Sequence, residues 1–183
     1  MKIIINFALL NKDEVNRHAE YKIPFIGLKE GIHEYELLLE SKFFEEFELS
    51  EFEQGEVNVK ITLDKRINMM VVDFDLAGHV FFPCDKCGAQ AKLDFEGNEK
   101  LIVKFGDKTS STDEEILVLG PNEYELDVSQ YLYEYVVLLI PARRVHASED
   151  ECDQDVLHKL DELEDKEEKT DPRWDALKGF KSN

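Results

Sequence analysis

The sequence has few of the residues that dominate several functional classes. Of its 183 residues only three are cysteines, five are histidines and one is a tryptophan, and 22 basic residues face 41 acidic ones. Three cysteines are too few for the disulfide framework of a small secreted domain. The formal net charge of −19 opposes broad nucleic-acid binding, because cations must neutralise the phosphates. This balance favours solubility and basic partners instead.

Long apolar runs and phosphate-binding motifs are also missing. No stretch approaches the roughly 18–20 apolar residues of a membrane span, and the apolar opening Met1–Leu10 has no cleavage site of an export signal. Gly106–Thr112 lacks the spacing of a phosphate-binding loop and is expected to be a plain loop. The sequence contains no recognisable pairing of a nucleophile with a general base, so nothing in it indicates catalysis. We therefore expect a cytoplasmic protein that is not an enzyme.

Alternating apolar residues predict a sheet as the main structure. In Gly55–Asp64 every second residue is apolar, which turns one face of a strand inward. The fold class is therefore α+β, with a mainly antiparallel sheet that forms a meander or a partly closed barrel. Further strands are predicted at Met1–Leu10, Ile32–Leu39, Ile67–Phe74, His79–Phe82, Ala91–Phe105 and Ile116–Leu119.

One amphipathic helix, over residues 127–140, should pack on this sheet. Apolar residues recur there at helical spacing, and Asp127 with Gln130 has the spacing of a capping box. A shorter helix is predicted over residues 42–49, capped by Ser41, with three phenylalanines along one side. Phenylalanines at this spacing indicate a buried face.

Charge divides the chain into two parts. Residues 1–148 contain the predicted sheet and its packed helix, so we assign them to one β-rich domain. Residues 149–171 contain 12 acids and only three lysines. We therefore predict that residues 149–183 form an acidic tail, helical near Asp153–Leu163 and flexible over Asp165–Thr170. Trp174, near its end, can dock onto the chain's own sheet or onto a partner.

Cys84 and Cys87 lie two residues apart in a turn between predicted strands. Such a pair can hold a metal ion together or form a redox disulfide. Redox pairs of the thioredoxin type open a helix, whereas here Gly88 leads into a strand-like alternation. The residues alone leave three interpretations open: a structural metal site, two reduced thiols without a ligand, and a redox pair.

Three motifs follow one another between residues 64 and 180. They are the Cys-x-x-Cys turn with an acidic β segment, the segment Leu126–Pro141, and the ending Asp171–Leu177. Together they resemble the bacterial YceD family, which also occurs in plastids. The resemblance implies a non-enzymatic factor in ribosome biogenesis that promotes accumulation of large-subunit (23S) ribosomal RNA. It also implies a ribosomal protein or a precursor of the large subunit as the partner.

The resemblance further implies a metal site. Cys84 and Cys87 match the first cysteine pair of the family, in which many members carry a second cysteine cluster after the helix. Here only His146 and Cys152 are available at that place. Three thiolates and one imidazole suit a structural zinc, provided that this segment folds back onto the turn. A zinc shared by two chains and loss of the metal are the alternatives.

Candidate partner-binding residues follow the helix and end the chain. Arg143 and Arg144 either complement nearby carboxylates and the helix C-terminus or contact a partner. Asp171-Pro172-Arg173, which matches the C-terminal motif of the family, and Trp174 are the other candidates. We expect no membrane, no small-molecule substrate, and at most local RNA contact. The alternative functions are a small structural-metal or redox protein and a generic acidic protein-binding module.

Overall fold

A computed structural model describes residues 21–47, 52, 54–107, 110–113 and 116–164. The predicted strand Met1–Leu10 and the candidates Asp171-Pro172-Arg173 and Trp174 lie outside these described residues. The described strands are β1 Lys22–Pro24, β2 Gly31–Glu40, β3 Gly55–Lys65, β4 Met69–Pro83, β5 Gln90–Phe105, β6 Ser110–Asp113, β7 Ile116–Leu119 and β8 Glu125–Asp127. The α-helices are α1 Ser41–Glu45, α2 Ser129–Leu139 and α3 Gln154–Glu164.

The larger sheet is an open meander with one parallel pair. Its strand order is β2-β3-β4-β5-β7-β6, and β2 to β5 pair antiparallel in chain order. The α+β class and the mainly antiparallel sheet are confirmed, whereas the partly closed barrel is wrong because this sheet is open. β7 runs parallel to β5, and β6 forms where the sequence predicts part of a loop. β1 and β8 form a separate two-stranded sheet.

The hairpin of β4 and β5 is longer than the sequence pattern predicts. The predicted strands Ile67–Phe74 and His79–Phe82 are parts of one strand. β4 continues through Asp75–Gly78 and pairs with β5 along all of its 15 residues. Gly78 lets β3 approach closely, because a Cβ there would lie 2.6 Å from the Val57 Cα. In β5, Gly97 does not interrupt the strand either. It leaves room for the Leu139 side chain of α2.

The core lies on one face of this sheet. Alternate residues of β3 point inward as predicted, and their exposed fractions are between 0% and 2% for Val57, Val59, Ile61 and Leu63. α1 packs against β2 and β3, and α2 packs against β5. Phe43 and Phe44 of α1 are buried, which confirms the predicted aromatic face.

The helices are short, and the predicted cap at Ser41 is wrong. α2 and α3 have 11 residues each, the longest helices that the structure describes, and neither has the length and apolarity needed to cross a membrane. Ser41 is the first residue of α1 and does not cap it. Asp127 pairs with β1 as the last residue of β8, so α2 begins two residues later and not at 127. Its carboxylate still accepts a hydrogen bond of 3.0 Å from the Ser129 N–H at the start of the helix. Gln130 donates a hydrogen bond to Glu134 and closes no capping box.

The close approach at Gly78 predicts a stability effect. Gly78→Ala should lower the free energy of unfolding by about 1–3 kcal/mol, because the added methyl group meets β3 backbone atoms. Gly27→Ala is the matched control, since nothing lies within 4 Å of a Cβ at that position. Urea unfolding of both variants measures the difference. Equal stabilities would contradict the predicted contact.

Candidate metal centre

The cysteine pair lies at the tip of the β4–β5 hairpin. Six residues join the strands, and two backbone hydrogen bonds of 2.8 Å close the turn: the Cys84 N–H donates to the Ala89 carbonyl and the Gly88 N–H to the Cys84 carbonyl. Gly88 has a φ of 76°, which glycine adopts without steric cost. Both thiols are buried. The turn therefore holds two sulfur atoms in one sheltered place.

The segment after α2 folds back onto this turn. Asp85 and Arg144 exchange two hydrogen bonds: the Asp85 N–H donates to the Arg144 carbonyl at 2.7 Å, and the Arg144 N–H donates to the Asp85 carboxylate at 2.8 Å. Farther along, Lys86 forms an ion pair with Glu149 at 2.6 Å. The segment after α2 therefore folds back onto the turn, as a site made of these four residues requires. The polar contacts of Asp85 and Lys86 stabilise this arrangement.

Four candidate ligand atoms converge there. The Sγ atoms of Cys84, Cys87 and Cys152 and an imidazole nitrogen of His146 all lie within 4.8 Å of one another. The His146 Nδ1 lies 3.6 Å from the Cys87 Sγ and 3.4 Å from the Cys152 Sγ. In tetrahedral zinc sites, with Zn–S of about 2.3 Å and Zn–N of about 2.0 Å, sulfur and nitrogen ligands lie about 3.5 Å apart. The four residues predicted together from the sequence are thus close enough to one another to hold one metal ion.

The orientation of His146 also suits a ligand. Its Nε2 lies 3.0 Å from the Gln90 carbonyl oxygen. Because a carbonyl only accepts hydrogen bonds, Nε2 carries the proton and the Nδ1 lone pair of the neutral ring faces the sulfur atoms. Metal-binding histidines are commonly held in this way, with the second ring nitrogen donating to a carbonyl or carboxylate.

The cluster favours negative charge on the Cys84 sulfur and disfavours it on the Cys152 sulfur. Burial raises the pKa of the Cys84 thiol, but hydrogen bonds from the backbone N–H groups of Cys87, Lys86 and His146 outweigh it and lower this pKa to about 6. Burial and the neighbouring Cys87 and Cys84 sulfur atoms raise the pKa of Cys152 to about 11. A divalent cation reverses this repulsion, because it stabilises thiolates directly.

The donor set fits zinc better than it fits redox chemistry. Three sulfur atoms and one imidazole are the four ligands that a closed tetrahedral site needs, and such a set is typical of structural zinc. A thiol activated for redox chemistry usually lies at a helix N-terminus, whereas Cys84 and Cys87 lie in a hairpin turn. These residues would hold the metal through four protein ligands, so its contribution would be to cross-link two distant parts of the chain.

Of the candidate partner-binding residues, the structure describes Arg143 and Arg144. Arg143 is exposed. Arg144 is half-buried, and its guanidinium carbon lies 4.1 Å from the centroid of the Phe82 ring, within the range of a cation–π interaction. Arg144 therefore contributes to the structure beside the cluster, while Arg143 remains accessible.

Sequence reasoning missed the contacts that support the cluster. Asp85 and Lys86 lie between the two cysteines, and their partners are about 60 residues away in sequence. Two charged residues inside the Cys-x-x-Cys turn were a signal, but nothing in the sequence identifies their partners. The Gln90 contact uses a backbone carbonyl, so no side chain at that position indicates it.

Comparison with known proteins gives one family. A family model described as "Large ribosomal RNA subunit accumulation protein YceD" matches residues 72–181, more than half of the chain. The match begins within β4 and extends past α3, so it contains all four clustered residues. No curated protein and no solved structure matches the chain.

The cluster predicts one zinc ion per chain. His146→Ala should lower zinc affinity by at least about tenfold. Mutation of residues that only hydrogen-bond to metal ligands already lowers metal affinity about 10–100-fold, and loss of a ligand itself should cost no less. His158→Ala is the control, since His158 is exposed on α3 and contacts Glu162, away from the cluster. Competition with a chromophoric chelator measures the affinities. Equal zinc binding by the two variants would exclude His146 as a ligand.

Zinc binding should release protons and strengthen from about pH 6 to about pH 8. Cys152, with its pKa near 11, is protonated throughout this range and must lose its proton to bind metal. Cys152→Ser should therefore release about one proton fewer, as measured by calorimetry in buffers of different ionisation enthalpy. Cys84→Ser should change the count little at the upper pH, because the pKa of Cys84 is about 6. Unchanged release from Cys152→Ser would refute its role.

Proposed function

The chain belongs to the YceD family, and from this premise we propose that it is a non-enzymatic factor in the assembly of the large ribosomal subunit. The family description connects its members with the accumulation of large-subunit ribosomal RNA. The observation that carries the proposal is the family match, which spans the whole cluster and α2. In this proposal the chain promotes accumulation of 23S ribosomal RNA by binding a component of the precursor particle.

A structural role for the metal supports a protein that acts by binding. The four clustered residues would hold a zinc ion that cross-links the hairpin tip to residues 142–152. The Asp85–Arg144 hydrogen bonds and the Lys86–Glu149 ion pair act on the same two segments. Together these contacts keep the exposed Arg143 in a defined place next to the tip.

The charge of the molecule supports a basic protein partner. The sheet face opposite the core is acidic, and its lysines at positions 60, 92 and 100 already pair with neighbouring carboxylates. Such a surface attracts the cationic surface of a ribosomal protein and repels bare RNA. Local RNA contact is assigned to the exposed Arg143. The acids on this face are Glu34, Glu36, Glu40, Glu56, Asp64, Asp73, Asp75, Asp94 and Glu96.

Sedimentation of the protein in lysates of its own host tests the proposal. We expect it to migrate with precursors of the large subunit, not with mature ribosomes, and to dissociate at moderate salt because charge contributes to docking. Arg143→Glu should reduce this migration. Arg66→Glu is the matched control, an exposed arginine at the β3–β4 connection whose partner is Asp64.

Two results would contradict this function. One is a protein that sediments free at both salt concentrations, which would favour the generic binding module. The other is an unchanged ratio of large- to small-subunit ribosomal RNA in cells that lack the protein. A metal-binding protein with no ribosomal role would give both results and still bind zinc.

A further inference from the structure

The C-terminal half of α2 exposes apolar side chains on its outer face. Leu132, Tyr135 and Val136 are buried on the inner side, but Leu138 is 71% exposed and Val137 is 45% exposed. Glu134 is the only charged residue of this helix. A surface helix normally carries a polar outer face. The first half of α2 does so, with Gln130 and Glu134 exposed, whereas the exposed residues at the end of the helix have the composition of a covered surface.

A groove runs along this face and has an aromatic floor. Its volume is about 720 Å³, within the range of about 300–1,000 Å³ in which pockets bury drug-sized molecules. Tyr133 is stacked on Phe47, with 4.1 Å between the ring centroids and 11° between the planes, so the floor is well supported. We call this the α2 groove and define it by Phe52, Phe82, Tyr133, Val137, Leu138 and Arg144.

We propose that the α2 groove binds the C-terminal segment of the same chain, Pro172–Phe180, with Trp174 as the anchor. Trp174, Leu177 and Phe180 recur every three residues, a spacing that brings apolar side chains to one side of a helical turn. Tryptophan is the side chain most enriched in buried anchors of interfaces. An aromatic floor beside exposed aliphatic residues suits such an anchor.

The connecting chain is long enough for this docking. Trp174 follows the last residue of α3, Glu164, by ten residues, which reach about 33 Å when extended. α3 itself is only about 16 Å long. It begins two residues after Cys152, whose sulfur lies within 4.8 Å of the Cys84 sulfur, and Cys84 follows the groove residue Phe82 by two residues. The segment can therefore return along α3 to the groove.

Connectivity favours this occupant over others. The charges do not oppose it, because the groove is lined by Glu134 and Arg144 and the segment carries both signs, at Arg173, Asp175 and Lys178. A tethered segment also acts at an effective concentration in the millimolar range, above that of a second copy or a partner. The proposal does not depend on the ribosomal function.

The single tryptophan makes the proposal directly measurable. Trp174 is the only tryptophan of the chain, so tryptophan fluorescence of the full-length protein reports on this residue alone. We expect emission at shorter wavelength and severalfold weaker acrylamide quenching than in a free peptide of residues 165–183. The variant Val137→Gln with Leu138→Gln should shift both values to those of the peptide.

A matched variant and a dilution series complete the test. Ile32→Gln with Ile67→Gln also replaces two exposed apolar residues, 71% and 79% exposed, and should leave Trp174 shielded. Circular dichroism checks that both double variants are folded. The proposal is overturned if Trp174 of the native protein behaves as in the peptide, or if the groove variant leaves it shielded. Shielding that is lost on dilution would overturn it in favour of docking onto a second copy.

Discussion

The pairing of β4 with β5 organises the molecule. Its register is continuous from Met69 with Lys104 to Pro83 with Gln90, so the hairpin carries its connecting turn to one end of the sheet. β3 packs beside Gly78 in this hairpin, and α2 packs over Gly97. A slip of one residue in this register would turn every buried side chain of the strand to the solvent face. The position of Cys84 and Cys87 therefore depends on core packing along the full length of both strands.

The hairpin tip binds the chain after α2 through several types of interaction. A reciprocal pair of hydrogen bonds, an ion pair, a cation–π contact and the four clustered ligand residues all lie within a few residues of one another. An exposed ion pair such as Lys86–Glu149 stabilises a protein only weakly by itself. The cluster is different, because its sulfur atoms are buried and metal binding at such sites contributes folding free energy.

Much of the fold could be predicted from the alternation of apolar and polar residues, and each wrong prediction has a physical cause. The inward face of β3 could be predicted because every second residue of this strand is apolar. Gly78 was read as a break, since a glycine that allows strands to approach looks the same in sequence as one in a turn. α2 begins later than predicted because the pairing of Asp127 with β1 is a tertiary contact. Likewise the spacing of Cys84 and Cys87 indicated a site, but only resemblance to a family added His146 and Cys152.

The cluster joins residues that are far apart in sequence, and this has a consequence for the unfolded chain. A metal bound to Cys87 and His146 would close residues 88–145 into a ring that contains β5, β6, β7, β8 and α2. For a covalent link, closing a ring of this length removes chain entropy worth about 4 kcal/mol from the unfolded ensemble. Metal ligation would thus act as a reversible cross-link. The concentration of available metal would then determine how much conformational freedom the unfolded protein retains.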